Sequence, residues 1–246
     1  LGDVIALGWG VVGVVIAAVV LGFLASELIG RALGVPTGLR LLIGAGFSIC
    51  GAAAVAAAEQ VVPERKDEDV VTSLALVVVC GTLMIPLLPL LIGVSGVGQQ
   101  AAGVWIGAST HEVAQVVAAG GIVGSGALAA AVVVKLARVL LLAPVMIALS
   151  WRMRRSREGT LPPLVPVFVA GFIAAVALRS TGVLPPAVID GAEVAQTVLL
   201  SSAMFALGCG VRLLTLRQVG GAPVLLAVLV TAVLIGVGLG GALLLG

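Results

Sequence analysis

Charge is what this chain most lacks. Only 10% of its 246 residues are Asp, Glu, Lys or Arg, where a soluble domain carries roughly a quarter. Aromatic residues make up 3%, tyrosine is absent, and there is a single histidine, His111. A net charge of +2 is too small for a nucleic-acid-binding surface. The three cysteines, Cys50, Cys80 and Cys209, lie in apolar stretches without the spacing of a zinc site or redox pair, so reduced, packed thiols are expected. No metal or cofactor is implied. No cleavable leader is visible, because the first apolar stretch is too long and follows no basic segment. The chain opens on Leu1-Gly2-Asp3, and further helices are expected ahead of it in the natural protein.

What is present is apolar. Hydrophobic residues make up 61% of the chain, and the mean hydropathy is +1.31. Runs of 18 or more apolar residues recur, each long enough to span about 30 Å of hydrocarbon as a helix. The 34 glycines suit close helix packing in lipid. The expected fold is all-α: one polytopic transmembrane bundle over residues 1–246, of about eight helices. Their ranges are about Val4–Ile29, Leu41–Val62, Val70–Ile92, Gln100–Gly121, Ser125–Ser150, Leu164–Leu178, Ala192–Val211 and Val219–Leu245. Pro86 and Pro89 should kink or end the third. The run Glu64–Asp69 reads as a solvated loop leading into a helix N-terminus.

Orientation follows from Lys/Arg asymmetry. With the cluster Arg152–Arg157 in the cytoplasm and strict alternation, Arg31, Arg40, Arg212 and Arg217 share its side. Arg65, Lys66 and Arg179 fall outside, and the chain starts and ends outside. The stretches Leu1–Val4 and Leu216–Val219 each precede a Val/Leu/Gly-rich span, a weak echo that chance also explains.

Two segments look interrupted. Gly44, Gly46, Ser48, Cys50 and Gly51 crowd the middle of the second, and the fourth repeats the device, with Ile43-Gly44-Ala45 matched by Ile106-Gly107-Ala108. Glycine costs a helix interior about 1 kcal/mol relative to alanine. Discontinuous helices are therefore expected, their freed backbone groups available to a substrate. Plain small-residue packing is the competing reading. Ser201 and Ser202 mark a third candidate break in the seventh segment, although such serines also bond back to carbonyls one turn earlier.

The fourth and fifth segments hold the polar residues. His111, Glu112 and Gln115 fall at helical spacing, as do Lys135 and Arg138. Ionisable residues at that depth cost roughly 2.5–3.5 kcal/mol each on insertion scales and are functional candidates by default. Either they form an ion pair that only joins two helices, or they bind a substrate. With Glu112 ionised and His111 neutral the set carries one net positive charge. Protonating His111, unperturbed near pH 6.5, would add another. Such a cluster favours an anion.

The runs Ile49-Cys50-Gly51-Ala52, Gly107–Gly120 and Lys135-Leu136-Ala137-Arg138-Val139 resemble the signatures of the YeiH-type family (UPF0324), whose members carry the label of sulfate exporters. The resemblance covers nearly the whole chain. It implies a bacterial inner-membrane protein of about ten helices, an inverted-repeat transporter fold related to bile-acid symporters and cation/proton antiporters, and about two helices ahead of Leu1. Two departures stand out: Ala53 where the family usually has serine, and Glu112 where it usually has aspartate.

The expected function is secondary transport of a small anion, sulfate or an organosulfonate, with export among the directions considered, coupled to a proton or sodium gradient. The expected binding residues are Ser48, Cys50, Gly51, Ser109, Thr110, His111, Glu112, Gln115, Lys135, Arg138, Ser201 and Ser202. The partners implied are that anion, the coupling ion and the lipid bilayer; a homodimer is compatible with this class, and no nucleic acid is expected. A cation/proton antiporter with Glu112 as carrier is the alternative. An enzyme built on Cys50 and His111 is set aside, because no nucleophile elbow, zinc motif or redox cysteine pair accompanies them. A reporter fused after Arg155 should read as cytoplasmic; an external reading would reverse the topology.

Overall fold

Helices that are apolar on every side gain nothing from facing water. Four of them, Trp9–Ala32, Asp67–Ser95, Ser125–Arg152 and Gly221–Leu245, are long and apolar enough to cross a membrane. A computed structural model describes residues 8–62, 65–154, 167–210 and 219–245. Every regular element among them is an α-helix, and the protein is an all-α polytopic membrane protein. Residues 1–7, Glu64, Arg155–Arg157, Arg212 and Arg217 lie outside the described residues, so the terminal echo and those loop charges do too.

The helices are α1 (Trp9–Ala32), α2 (Thr37–Ser48), α3 (Ala52–Val61), α4 (Asp67–Ser95), α5 (Gln99–Ser109) and α6 (Val113–Val123). They continue with α7 (Ser125–Leu140), α8 (Leu142–Arg154), α9 (Val167–Ser180), α10 (Pro186–Gly210) and α11 (Gly221–Leu245). Helix α4 carries through both Pro86 and Pro89, so of the expected kink or end, the end is not found. Bundle helices in lipid tolerate proline where neighbours and local adjustment satisfy the freed carbonyls. The acids Asp67, Glu68 and Asp69 fill its first turn, and the Asp69 carboxylate accepts from the Lys66 N–H at 2.9 Å. Cys50 is buried and Cys80 half-buried, whereas Cys209 faces outward.

Both expected breaks are present, but neither broken segment runs through. The Gln99 amide donates to the Val123 carbonyl at 3.0 Å, and its oxygen accepts from the Ala127 N–H at 3.0 Å. Twenty-four residues of through-running helix would place those ends about 36 Å apart. The pair α5–α6 is thus a hairpin that turns back at Thr110-His111-Glu112. The pair α2–α3 turns back at Ile49-Cys50-Gly51, bringing Gly46 against Val55 and α3 against α4 and α8.

Contacts along the long helices show which side each hairpin enters. Helices α1 and α11 are antiparallel, with Gly10 at Leu245, Gly22 at Leu234 and Gly30 at Leu226. The start of α2, at Arg40, lies beside Gly30 and its end, Ser48, beside Gly22. It therefore descends from the face reached by the end of α1, here the upper face. Helix α5 rises against α11: Trp105 Nε1 donates to the Ile235 carbonyl at 3.0 Å and Ser109 Oγ to that of Leu234 at 3.1 Å. The two hairpins enter from opposite faces and their tips meet half-way. Helix α4 descends between them, and α7 with α8 ascends alongside α5, with Gly103 at Ala127 and Ala130 and Gly107 at Ala131 and Val134. A Cβ on Gly107 would stand 2.6 Å from the Ala131 carbonyl oxygen, so this close approach requires glycine.

The hairpin corrects the expected topology. Arg65 and Lys66 return to the face that carries Arg31, Arg40 and Arg152, because α3 doubles back instead of crossing. The upper core joins α1, α2, α3, α8 and α11 around Leu42, Phe47 and Met146. The lower core packs Met84, Leu88 and Ile92 of α4 on Trp105, Ile106 and Val116. Helix α10 touches α4 and α6, and most of its described side chains are exposed.

The hairpins can be tested by labelling single cysteines from one side of a sealed vesicle, with Cys209 replaced by serine. Cysteines at Gly98 and Ser125 should react from one side, and those at Thr37 and Lys66 from the other. Through-running helices would split each pair.

Candidate functional site

The site is where the two tips touch. At the upper tip Ile49 adopts φ −113° and ψ −86°, and Gly51 adopts φ +75° and ψ −130°. Its N–H donates to the Gly46 carbonyl at 2.8 Å, closing the turn. Glycine is needed at 51 for two reasons: the left-handed φ, and the Glu112 side chain standing where a Cβ would be.

At the lower tip Thr110 and Glu112 are extended. Thr110 Oγ1 bonds the Ile106 carbonyl at 2.7 Å, ending α5. Glu112 begins α6 through a reciprocal box: its N–H donates to Gln115 Oε1 at 3.1 Å, and its side chain accepts from the Gln115 backbone N–H; Gln115 Nε2 also donates to Glu112 Oε2 at 3.4 Å. The spacing that looked like a polar stripe on a helix is therefore a capping box, and His111 precedes the helix. Gly81 on α4 leaves the room that the Gln115 amide fills.

Helix α7 fastens the tips. The Lys135 ammonium donates to the carbonyls of Ile49, Thr110 and His111 at 2.9, 2.8 and 2.6 Å, which uses all three of its hydrogens. Arg138 Nε donates to Ser48 O at 3.1 Å and Nη2 to Phe47 O at 2.8 Å. Its Nη1 reaches the carbonyls of Gly107, Ala108 and Thr110 at 3.0, 2.7 and 2.9 Å. These carbonyls belong to the ends of α2 and α5 and to the tips. They are the groups a helix C-terminus leaves without partners, at the negative end of its dipole. Two cations one helical turn apart thus satisfy both helix ends at once. Neither forms an ion pair among the described residues, so the alternative of an ion pair with Glu112 is not how the two segments are joined.

Glu112 makes a direct hydrogen bond between hairpins: its Oε1 accepts from the Ala52 N–H at 3.1 Å, at the start of α3. His111 Nε2 lies 3.1 Å from Thr231 Oγ1. The Thr231 hydroxyl also lies 2.8 Å from the Ala227 carbonyl; when it donates there, the histidine donates from Nε2. Its ring packs on Phe47 with centroids 4.3 Å apart, and Nδ1 is buried without a hydrogen-bond partner.

Of the twelve expected residues, the structure gathers Ser48, Cys50, Gly51, Thr110, His111, Glu112, Gln115, Lys135 and Arg138 at the tips. Ser109 lies at the end of α5, bonded to α11. Ser48 Oγ is buried without a partner, and its carbonyl takes the Arg138 bond. Ser201 and Ser202 are exposed on an unbroken α10 and do not join the cluster. Thr231 and Phe47 went unselected. Thr231 had a signal, as the lone hydroxyl in the apolar run of α11; Phe47 had none.

A family model described as Conserved hypothetical protein 698 matches residues 1–227. A UPF0324 membrane protein of Corynebacterium glutamicum is 50% identical over 246 residues, covering 98% of this chain and 71% of that protein. The chain belongs to the UPF0324 family of membrane proteins. The UPF0324 inner membrane protein YeiH of Salmonella typhi is 39% identical, over 92% of this chain and 67% of its own length. A UPF0324 membrane protein of Paracoccus pantotrophus named TauZ is 37% identical, over 94% of this chain and 73% of its own. No solved structure matches.

Replacing Arg138 by methionine should cost several kcal/mol, because the buried carbonyls of Phe47, Ser48, Gly107 and Ala108 lose their donor at about 1–3 kcal/mol each, and Gly51→Ala at least about 1 kcal/mol. Thermal unfolding of the purified variants measures both.

Proposed function

We propose that this protein is a secondary transporter of a small anion, sulfate or an organosulfonate, in the bacterial inner membrane. The observation that carries the reading is the pair of opposed hairpins whose tips meet at a buried cluster of two cations and one carboxylate. Both oxygens of Glu112 face N–H donors, a setting that suits an anion and disfavours a bound metal cation. This ranks anion transport above the antiporter alternative. Broken helices placed at mid-depth are the usual site of substrate contact in secondary transporters.

The same arrangement supports an inverted repeat as part of the proposal. One unit is the hairpin 37–61 followed by the 29-residue span Asp67–Ser95; the other is the hairpin 99–123 followed by the 28-residue span Ser125–Arg152. The first enters from the upper face and the second from the lower, and both carry Ile-Gly-Ala ahead of the tip. In this reading each hairpin closes the pathway from one side, and loosening one tip at a time gives alternating access. Lys135 and Arg138 keep the tips in register while the substrate binds beside Cys50, Gly51 and Glu112. The charge asymmetry makes the upper face cytoplasmic.

Proteoliposomes containing the protein should move radiolabelled sulfate or methanesulfonate down an imposed proton or sodium gradient. His111→Ala and Lys135→Ala should each abolish the flux. Flux unchanged in both variants would remove the cluster from the mechanism, and sodium-dependent proton movement without any anion would favour antiport. A binding anion at a hundred times its Kd should also stabilise the protein by about 2.7 kcal/mol, read as a thermal shift that His111→Ala loses.

A further inference from the structure

The transport reading leaves open which group carries a coupling proton, and the cluster offers four titratable side chains near the tips besides the Cys50 thiol. Resting on that reading, we propose that Glu112 is the proton carrier, protonated as an anion enters the cluster and ionised as it leaves.

The other candidates are committed elsewhere. Lys135 spends every N–H on a tip carbonyl, so its deprotonation would remove one of these three buried bonds. Arg138 spans five carbonyls and does not deprotonate in proteins. A proton on His111 Nδ1 would add a third positive charge to a buried set already holding two. Glu112 differs on each point. Its protonation removes a charge while leaving the tip carbonyls held by α7. It is also the only charged member with accessible surface, 6% against 0% for Lys135, Arg138 and His111.

Every element around Glu112 contributes a known group. The upper tip brings the Ala52 N–H and the Cys50 thiol, its own hairpin brings Gln115 and His111, and α7 brings Lys135 with Arg138 behind it. Helix α4 brings Gly81 beside Gln115, and α11 the uncharged Thr231 hydroxyl. Glu112 is the one carboxylate in this set. When it takes a proton from hydronium, forming a carboxylic acid and releasing water, two buried cations are left without a counter-charge. That state is unfavourable in a low-dielectric interior, and an entering anion restores the balance. The same linkage run backwards makes anion release discharge the proton. One proton therefore travels with one anion, and the bond to Ala52 weakens as the upper tip opens.

The test is proton uptake by the purified protein in lipid nanodiscs, in weakly buffered solution, on adding sodium sulfate or sodium methanesulfonate. The natural chain should take up about one proton per anion bound. Its affinity should fall about tenfold per pH unit once the carboxyl is ionised. Glu112→Gln should bind the anion with no uptake and no pH dependence, and Glu112→Asp should keep both. Uptake that persists in Glu112→Gln, or binding by the natural chain or Glu112→Asp without uptake, would overturn the assignment and leave anion transport standing. If Glu112→Gln does not fold, the natural chain and Glu112→Asp still decide. Failure of both anions to bind the natural chain would remove the transport reading and this inference together.

Discussion

Lys135 and Arg138 hold the whole arrangement together by satisfying backbone carbonyls. A helix that stops inside a membrane leaves its last carbonyls without water to bond. Two such helices, stopping tip to tip from opposite faces, would be untenable without a shared donor. Helix α7 supplies one from two side chains a turn apart, and their charge offsets the negative ends of both dipoles. The cost of burying two cations and the cost of stranding the helix ends cancel against each other. That mutual dependence explains why residues so expensive in lipid are present at all.

The remaining features follow from that clamp. Gly51 must lack a side chain because Glu112 crosses from the opposing hairpin. Gly107 must lack one because α5 has to come close enough to α7 for its carbonyls to reach Arg138. Thr231 and Phe47 hold the His111 ring on the other flank, and the bonds from Trp105 and Ser109 lock α5 to α11. The cluster that results is overdetermined on its cationic side and lightly held on its anionic one. Glu112 accepts from N–H donors and forms no ion pair among the described residues, whereas each cation is saturated.

Much of this was legible in the residues. Composition alone excluded a soluble protein, the glycine clusters located both breaks, and the rarity of charge singled out His111, Glu112, Lys135 and Arg138. The errors share one cause. A break in an apolar run reads the same whether the helix continues or turns back, because both leave similar glycines and similar hydropathy. The choice was made by contacts distant in sequence, such as Gln99 to Val123, and it moved Arg65 and Lys66 to the opposite face. The Glu112–Gln115 spacing was ambiguous in the same way, fitting a helix face and a capping box equally well. Ser201 and Ser202 resembled a break because two serines interrupt an apolar run, yet the backbone there stays helical.

The sequence by itself determined that this chain lives in a membrane as helices and that a small polar set at mid-depth is its distinctive feature. Water cannot reach those groups, so their rarity is a signal that needs no coordinates. Tertiary structure decided which partners the groups have. A cation in lipid must find acceptors, and whether these are a carboxylate, a substrate or a neighbouring helix end depends on which backbones meet. Here the opposed hairpins brought their carbonyl ends to α7, where Lys135 and Arg138 bond them.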